Sequence, residues 1–248
     1  MLRFNFLPKF SIIIGLTFIL FTVIGTLSHE YGHIVVAKYF GYDTTLSYGS
    51  MNYFPEGYLN DVEVEEINTL IQDYKPENYE NWPNDLKQKA EAKSNKLRHK
   101  YPQNETHSFW IGVGGPAQTM LTSFIGLLIL FFRRKKRKHQ FKIIDWFAVF
   151  MSLFALREVF NFIDALFVLI SNPEANFNSD EFGISTGLGC NEWVIPILSF
   201  ILGMLISCYV IFKIIPLKYR FSFIIAGFVG GIVGFATWFG FLGPALFN

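Results

Sequence analysis

The sequence predicts a mainly α-helical polytopic membrane protein: a bundle of about five transmembrane helices, with a short β element after the first and a small extramembrane insert. Two observations carry that reading. Of 248 residues, 51% are hydrophobic and 18% aromatic, and they fall in long uncharged runs rather than an even scatter. One long stretch, Asn60 to Asn104, is instead polar and charged. Residues 1–41 are therefore read as the first transmembrane helix, 42–107 as an insert with short strands and polar helices, and 108–248 as helices two to five. The formal net charge of +1 names no partner. Two cysteines, Cys190 and Cys208, are too few for a disulfide framework or a cysteine zinc site.

Phe10 to Leu27 is an apolar run of about 18 residues, near the minimum for crossing a bilayer and too long for a signal-peptide core. No small-x-small cleavage site precedes Ser28, so a retained helix is expected. Its pattern continues through Ile34–Phe40 to Gly41, a C-terminal stop. Tyr42–Tyr48, rich in Thr and Tyr, reads as a strand, and Gly49 and Pro55–Gly57 as turns. Ile67, Leu70, Ile71 and Tyr74 recur at helical spacing, and Asp85–Lys100 suits a second helix after Pro83.

Ser108–Phe132 is the second span, with a turn expected at Gly114-Gly115-Pro116. The run Arg133–Lys138 lies between two apolar spans, so it reads as a topology anchor rather than a nucleic-acid or anionic-lipid site. Phe141–Ile170, the third span, carries Arg157, Asn161 and Asp164 on one helical face, with Glu158 beside them. Ionisable residues inside a span face the bundle interior, to pair with one another or to serve function. An Arg157–Asp164 or Arg157–Glu158 pair is the structural option there. Ser171–Gly189 is read as a polar loop holding Asp180 and Glu181. Trp193–Ile215 and Phe221–Leu246 complete the spans, the last with Gly227, Gly230, Gly231 and Gly234 at helix-packing spacings.

The stretch that carries chemistry is His29-Glu30-Tyr31-Gly32-His33. On a helix, an H-E-x-x-H pentapeptide projects two imidazoles from one face, where they can share a zinc ion. The carboxylate of Glu30 then lies beside the open coordination position as a general base for an activated water. Its placement at the end of an apolar segment, where His and Glu are costly to bury, marks it as a site. A catalytic zinc needs a third protein ligand. Asp180 is the first choice, Asp164 the second, followed by Glu181 and Glu158. His107 reads as a solvated interfacial residue.

Arg3 and Lys9, the Arg133–Lys138 run, and Lys213, Lys218 and Arg220 all fall on one side of a five-span protein, hence the cytoplasmic side. His29–His33, the Gly-Gly-Pro segment and Asp180 then converge on the extracytoplasmic face.

These motifs resemble the site-2 protease family of intramembrane zinc metalloproteases. The similarity is greatest over His29–Gly49: the H-E-x-x-H helix, Ala37-Lys38, Gly41 and then a strand. Gly115-Pro116 matches that family's Gly-Pro segment, with Thr119 where Asn is usual. Asn161 resembles the Asn of its third motif, whose prolines and Asp-Gly are missing here. The resemblance implies one zinc per chain, His29 and His33 as ligands, Glu30 as general base, and a peptide bond of a membrane-protein substrate as the target, with no nucleic acid. Two other functions remain open on sequence: an inactive relative that binds a partner, and a zinc-handling transporter. Oligomeric state is not legible.

Overall fold

The structure is a computed structural model of the chain, described for residues 6–74, 82–172, 177 and 179–247. Pro8, a residue suited to the first turn of a helix, opens α1 (Pro8–Tyr39). Gly41, at φ +82°, ends the run in the left-handed conformation glycine tolerates, and the Tyr42 N–H turns back to the Ala37 carbonyl at 3.1 Å. At about 1.5 Å per residue, His29 lies ~30 Å along α1 from Pro8, about the thickness of a bilayer's hydrocarbon core.

An antiparallel hairpin follows, β1 (Asp43–Leu46) and β2 (Met51–Phe54), with Asp43 opposite Phe54 and Leu46 opposite Met51. The indole N–H of Trp238 donates to the Tyr48 carbonyl at 2.8 Å and ties the hairpin to the C-terminal region. The insert continues with α2 (Val62–Tyr74) and α3 (Asn84–Lys100). Lys93 and Lys96 of α3 each reach Glu63 at 3.0 Å, and Lys100 pairs with Asp61.

The bundle is completed by α4 (Glu105–Phe132), the short basic α5 (Arg134–His139), α6 (Ile143–Ser152), α7 (Leu156–Ser171), α8 (Asp180–Gly187), α9 (Val194–Tyr209), α10 (Leu217–Thr237) and α11 (Gly243–Leu246). Helix α1, helix α4, Val194–Ile214 and Leu217–Leu246 are each long and apolar enough to cross a membrane. Ile12 and Leu16 of α1, Phe124 of α4, Leu205 of α9 and Phe228 of α10 are all more than half exposed. A girdle of bare apolar side chains of this kind belongs against lipid.

Lipid offers no hydrophobic gain for bringing helices together, so packing relies on close approach and aromatic interlock. A Cβ on Gly230 of α10 would stand 2.5 Å from the Gly15 carbonyl oxygen of α1, so the two backbones touch there. Phe18 and Phe21 of α1 interlock with Phe150 of α6, and Phe18 also meets Phe223 of α10. Nearer the N-terminal ends of α1, α6 and α10, Phe10, Trp146 and Tyr219 form a further aromatic cluster. The basic residues of α5 and the 213–220 segment therefore share one end of the bundle with the start of α1. Beside them the buried Asp145 takes Arg133 in two bonds, 2.8 and 3.1 Å, and the Lys142 N–H at 2.8 Å.

Three sequence expectations need correction. The Gly-Gly-Pro segment is no turn: α4 runs through it with Pro116 inside the helix. The Ser171–Gly189 loop contains α8. Phe141–Ile170, expected as one span, is instead two helices, α6 and α7, separated by a 3-10 turn at Leu153–Ala155. No proline or glycine causes that break. Ser152 Oγ donates back to the Ala148 carbonyl at 2.8 Å, a bond that bends helices.

A candidate metal centre

Helices α1 and α4 cross antiparallel at two glycines. A Cβ on Gly32 would stand 2.4 Å from the Gly114 carbonyl oxygen, and one on Gly114 would stand 2.5 Å from that of Gly32. This contact brings a stripe of α4, at i, i+4 and i+8, against the two histidines. The His33 Nδ1–H donates to the Ile111 carbonyl at 2.6 Å, and His29 Nδ1 is hydrogen-bonded to the Thr119 hydroxyl at 2.9 Å. Between them, Gly115 leaves space for the rings: a Cβ there would lie 2.2 Å from His33 Nε2 and 2.5 Å from His29 Nε2. With both Nδ1 atoms engaged by α4, both Nε2 atoms point to one place, the usual arrangement of metal-ligating imidazoles.

Asp180, the first residue of α8, occupies that place. Its Oδ2 lies 2.9 Å from His29 Nε2 and 3.2 Å from His33 Nε2, and the two Nε2 atoms are 3.3 Å apart. Ligands about 2.0–2.1 Å from a tetrahedral ion stand roughly 3.3–3.4 Å from one another, so the three donor atoms already form nearly the right triangle. A carboxylate oxygen in that place can complete the ligand set. Among the described residues, this is the group of His, Cys, Asp and Glu placed to hold a metal ion.

The other candidates lie elsewhere. Glu181 is turned away, accepting from Asn161 Nδ2 at 2.9 Å and Ser179 Oγ at 2.6 Å. Glu158 is fully buried near Glu181. Asp164 lines the cavity described below but lies outside the donor triangle. His107 stacks on Phe40 with ring centroids 4.1 Å apart and meets the Tyr42 hydroxyl at 3.1 Å, so it fastens α4 to the segment after α1 rather than standing in solvent.

A cavity of about 580 Å³ opens in front of the triangle. Helix α1 contributes Glu30 and His33, β2 contributes Met51 and Tyr53, α7 contributes Arg157, Asn161 and Asp164, and α8 contributes Asp180. Glu30 is buried, and its Oε1 lies 3.9 Å from Arg157 Nη2. That ion contact replaces the expected pairing of Arg157 with Asp164 or Glu158. Gly112 also lines the cavity, and Pro116 supplies no N–H to its carbonyl. By formal charge, Glu30, Asp164 and Asp180 against the single Arg157 leave a deficit that one divalent cation makes good, which suits a site sheltered from water.

Sequence reasoning missed the Ile111 carbonyl, and it named Gly115 and Thr119 without their contacts to the histidines. Their four-residue spacing on one face of α4, matching the spacing of His29 and His33, is the signal that could have found them.

The fold and site define a helical membrane protein with a His-His-Asp cluster beside a carboxylate-bearing cavity. No protein-family model, curated protein or solved structure matches the chain.

Proposed function

We propose that the protein is an intramembrane zinc metalloprotease with five spans, the broken α6–α7 helix being the third. It hydrolyses a peptide bond of a membrane protein near the extracytoplasmic face. The observation that carries this reading is the donor triangle of His29, His33 and Asp180, with each ring's far nitrogen held by α4 and Glu30 on the adjoining cavity wall. The resemblance to site-2 proteases supports peptide hydrolysis as the reaction. The position of the basic segments at the opposite end of the bundle supports the sidedness.

His29, His33 and Asp180 would hold the zinc, which when bound polarises a carbonyl and lowers the pKa of water. Glu30 accepts a proton from the attacking water and passes it to the leaving amine. The bundle keeps lipid from the reacting groups, while the cavity admits water and an unfolded stretch of substrate.

The test is zinc content of the detergent-solubilised protein, wild type beside His33→Ala, Asp180→Ala and Glu30→Gln. About one zinc per chain is expected in wild type and Glu30→Gln, with loss in the other two. Glu30→Gln should in addition abolish cleavage of a labelled casein. A wild type purified after zinc-replete expression without metal refutes the reading.

A further inference from the structure

We propose that Arg157 is a further catalytic residue: its guanidinium binds the carbonyl oxygen of the scissile peptide bond and the negative charge that oxygen gains during hydrolysis. The proposal rests on the hydrolase reading above.

Arg157 sits in the first turn of α7, just after the break, and its side chain enters the same cavity as Glu30, His33 and Asp180. Among the described residues, Glu30 is the one carboxylate within 4.0 Å, and 3.9 Å is too long for a hydrogen bond. Arg157 Nε is buried with no partner. Buried donors in native proteins are normally satisfied. A guanidinium that lines a cavity and has an unsatisfied donor therefore calls for an acceptor that arrives from outside.

Its place relative to Glu30 identifies that acceptor. A general base stands within hydrogen-bond reach of the water it activates, and that water attacks from about 3 Å. A donor one contact beyond the base thus reaches the oxygen of the carbon under attack. Three other donors on the cavity wall are committed elsewhere. The Tyr53 hydroxyl donates to Ser108 Oγ at 3.0 Å, Asn161 Nδ2 to Glu181, and His33 Nδ1 to the Ile111 carbonyl. Arg157 is the cation left free, and a fixed cationic fork suits an oxyanion better than any neutral donor.

In the step so assisted, the water oxygen bonds to the carbonyl carbon while one of its protons passes to Glu30. The π pair of the C=O bond moves onto the oxygen facing Arg157. On collapse that pair re-forms the double bond, the C–N bond breaks, and Glu30 returns its proton to nitrogen, giving an acid and an amine.

Two probes built on one dipeptide separate this role from simple charge balance. N-phosphoryl-leucyl-tryptophan carries an anionic tetrahedral centre, and mercaptoacetyl-leucyl-tryptophan binds a metal through sulfur without one. Affinities are measured on zinc-loaded, detergent-solubilised wild type, Arg157→Ala and Arg157→Lys. Arg157→Ala should weaken the phosphoryl probe roughly 100-fold or more while leaving the mercaptoacetyl probe within about threefold, and Arg157→Lys should recover part of the loss. Equal weakening of both probes, or of neither, overturns the role of Arg157 and leaves the hydrolase reading standing. A wild type that binds neither probe overturns both.

Discussion

Gly115 offers a perturbation that alters no ligand yet should empty the site. A Cβ there would stand 2.2 Å from His33 Nε2, 2.5 Å from His29 Nε2 and 2.6 Å from His33 Cε1. Ordinary contacts between such atoms begin near 3.5 Å, so the His33 ring must retreat by about 1.3 Å. Metal–donor distances tolerate only ~0.2 Å. Loosening a single orienting partner weakens metal sites by about 10–100-fold, and displacing both rings should exceed the upper end of that range. Alanine is also the better helix former by about 1 kcal/mol, so lost metal could not be blamed on a weakened α4. The assay is a chelator-competition titration of Gly115→Ala beside Gly112→Ala, whose Cβ would meet nothing within 4 Å. Zinc should leave the first variant and stay in the second. A Gly115→Ala protein that holds zinc within about threefold of wild-type affinity would refute the geometry of the whole site.

Thr119→Val keeps the shape of the side chain but deprives His29 Nδ1 of its hydroxyl partner. Zinc affinity should fall about 10–100-fold while saturating zinc still fills the site, and an unchanged chelator titration would remove Thr119 from the centre. Asp145→Ala strips Arg133 and the Lys142 N–H of their partner at the far end of the bundle. Thermal unfolding in detergent should show a loss of about 3 kcal/mol with zinc content untouched, where exposed Lys135→Ala shows neither. The insert should loosen in acid. Hydrogen bonds from Lys100 hold the Asp61 carboxyl below its ordinary value, and those from Lys93 and Lys96 do the same for Glu63. A carboxylate lowered in the folded state adds stability above the ordinary carboxylate range, and that stability is lost as pH falls through the lowered value. Amide-exchange protection of α2 and α3 should therefore decline below about pH 4, and protection that stays flat from about pH 6 to 3 would contradict the role of these pairs.

What could be read from the sequence followed from signals with one strong physical cause. Uninterrupted apolar length marked the spans, because nothing shorter crosses the hydrocarbon. The pentapeptide marked the two histidines whose rings stand side by side, because its spacing already implies both on one helical face. Gly114-Gly115-Pro116 misled for an equally physical reason. In a water-soluble chain those residues would break a helix, whereas in a bundle neighbouring helices tolerate the proline and need the glycines. The break at Leu153–Ala155 had no glycine or proline to announce it. Asp180 was preferred for its side of the membrane and its polar surroundings, but its distance from the histidines lies 147 residues beyond His33 in sequence and only tertiary packing could bring them together.

The glycine crossing explains why the centre sits where it does. Helices separated by ordinary side chains pack about 8–10 Å apart. At that distance neither the Ile111 carbonyl nor Thr119 could reach a ring nitrogen on α1. Gly32 and Gly114 remove the side chains from the crossing point, so the backbone of α4 takes over as the orienting layer for both imidazoles. The same contact seals the back of the rings against lipid and water. What remains open is the front, where β2, α7 and α8 leave the cavity that holds Glu30 and Arg157. A helix pair tight enough to fix the two imidazoles thus also sets which side of them is open, and in the proposed reaction Arg157 stands on the substrate's approach.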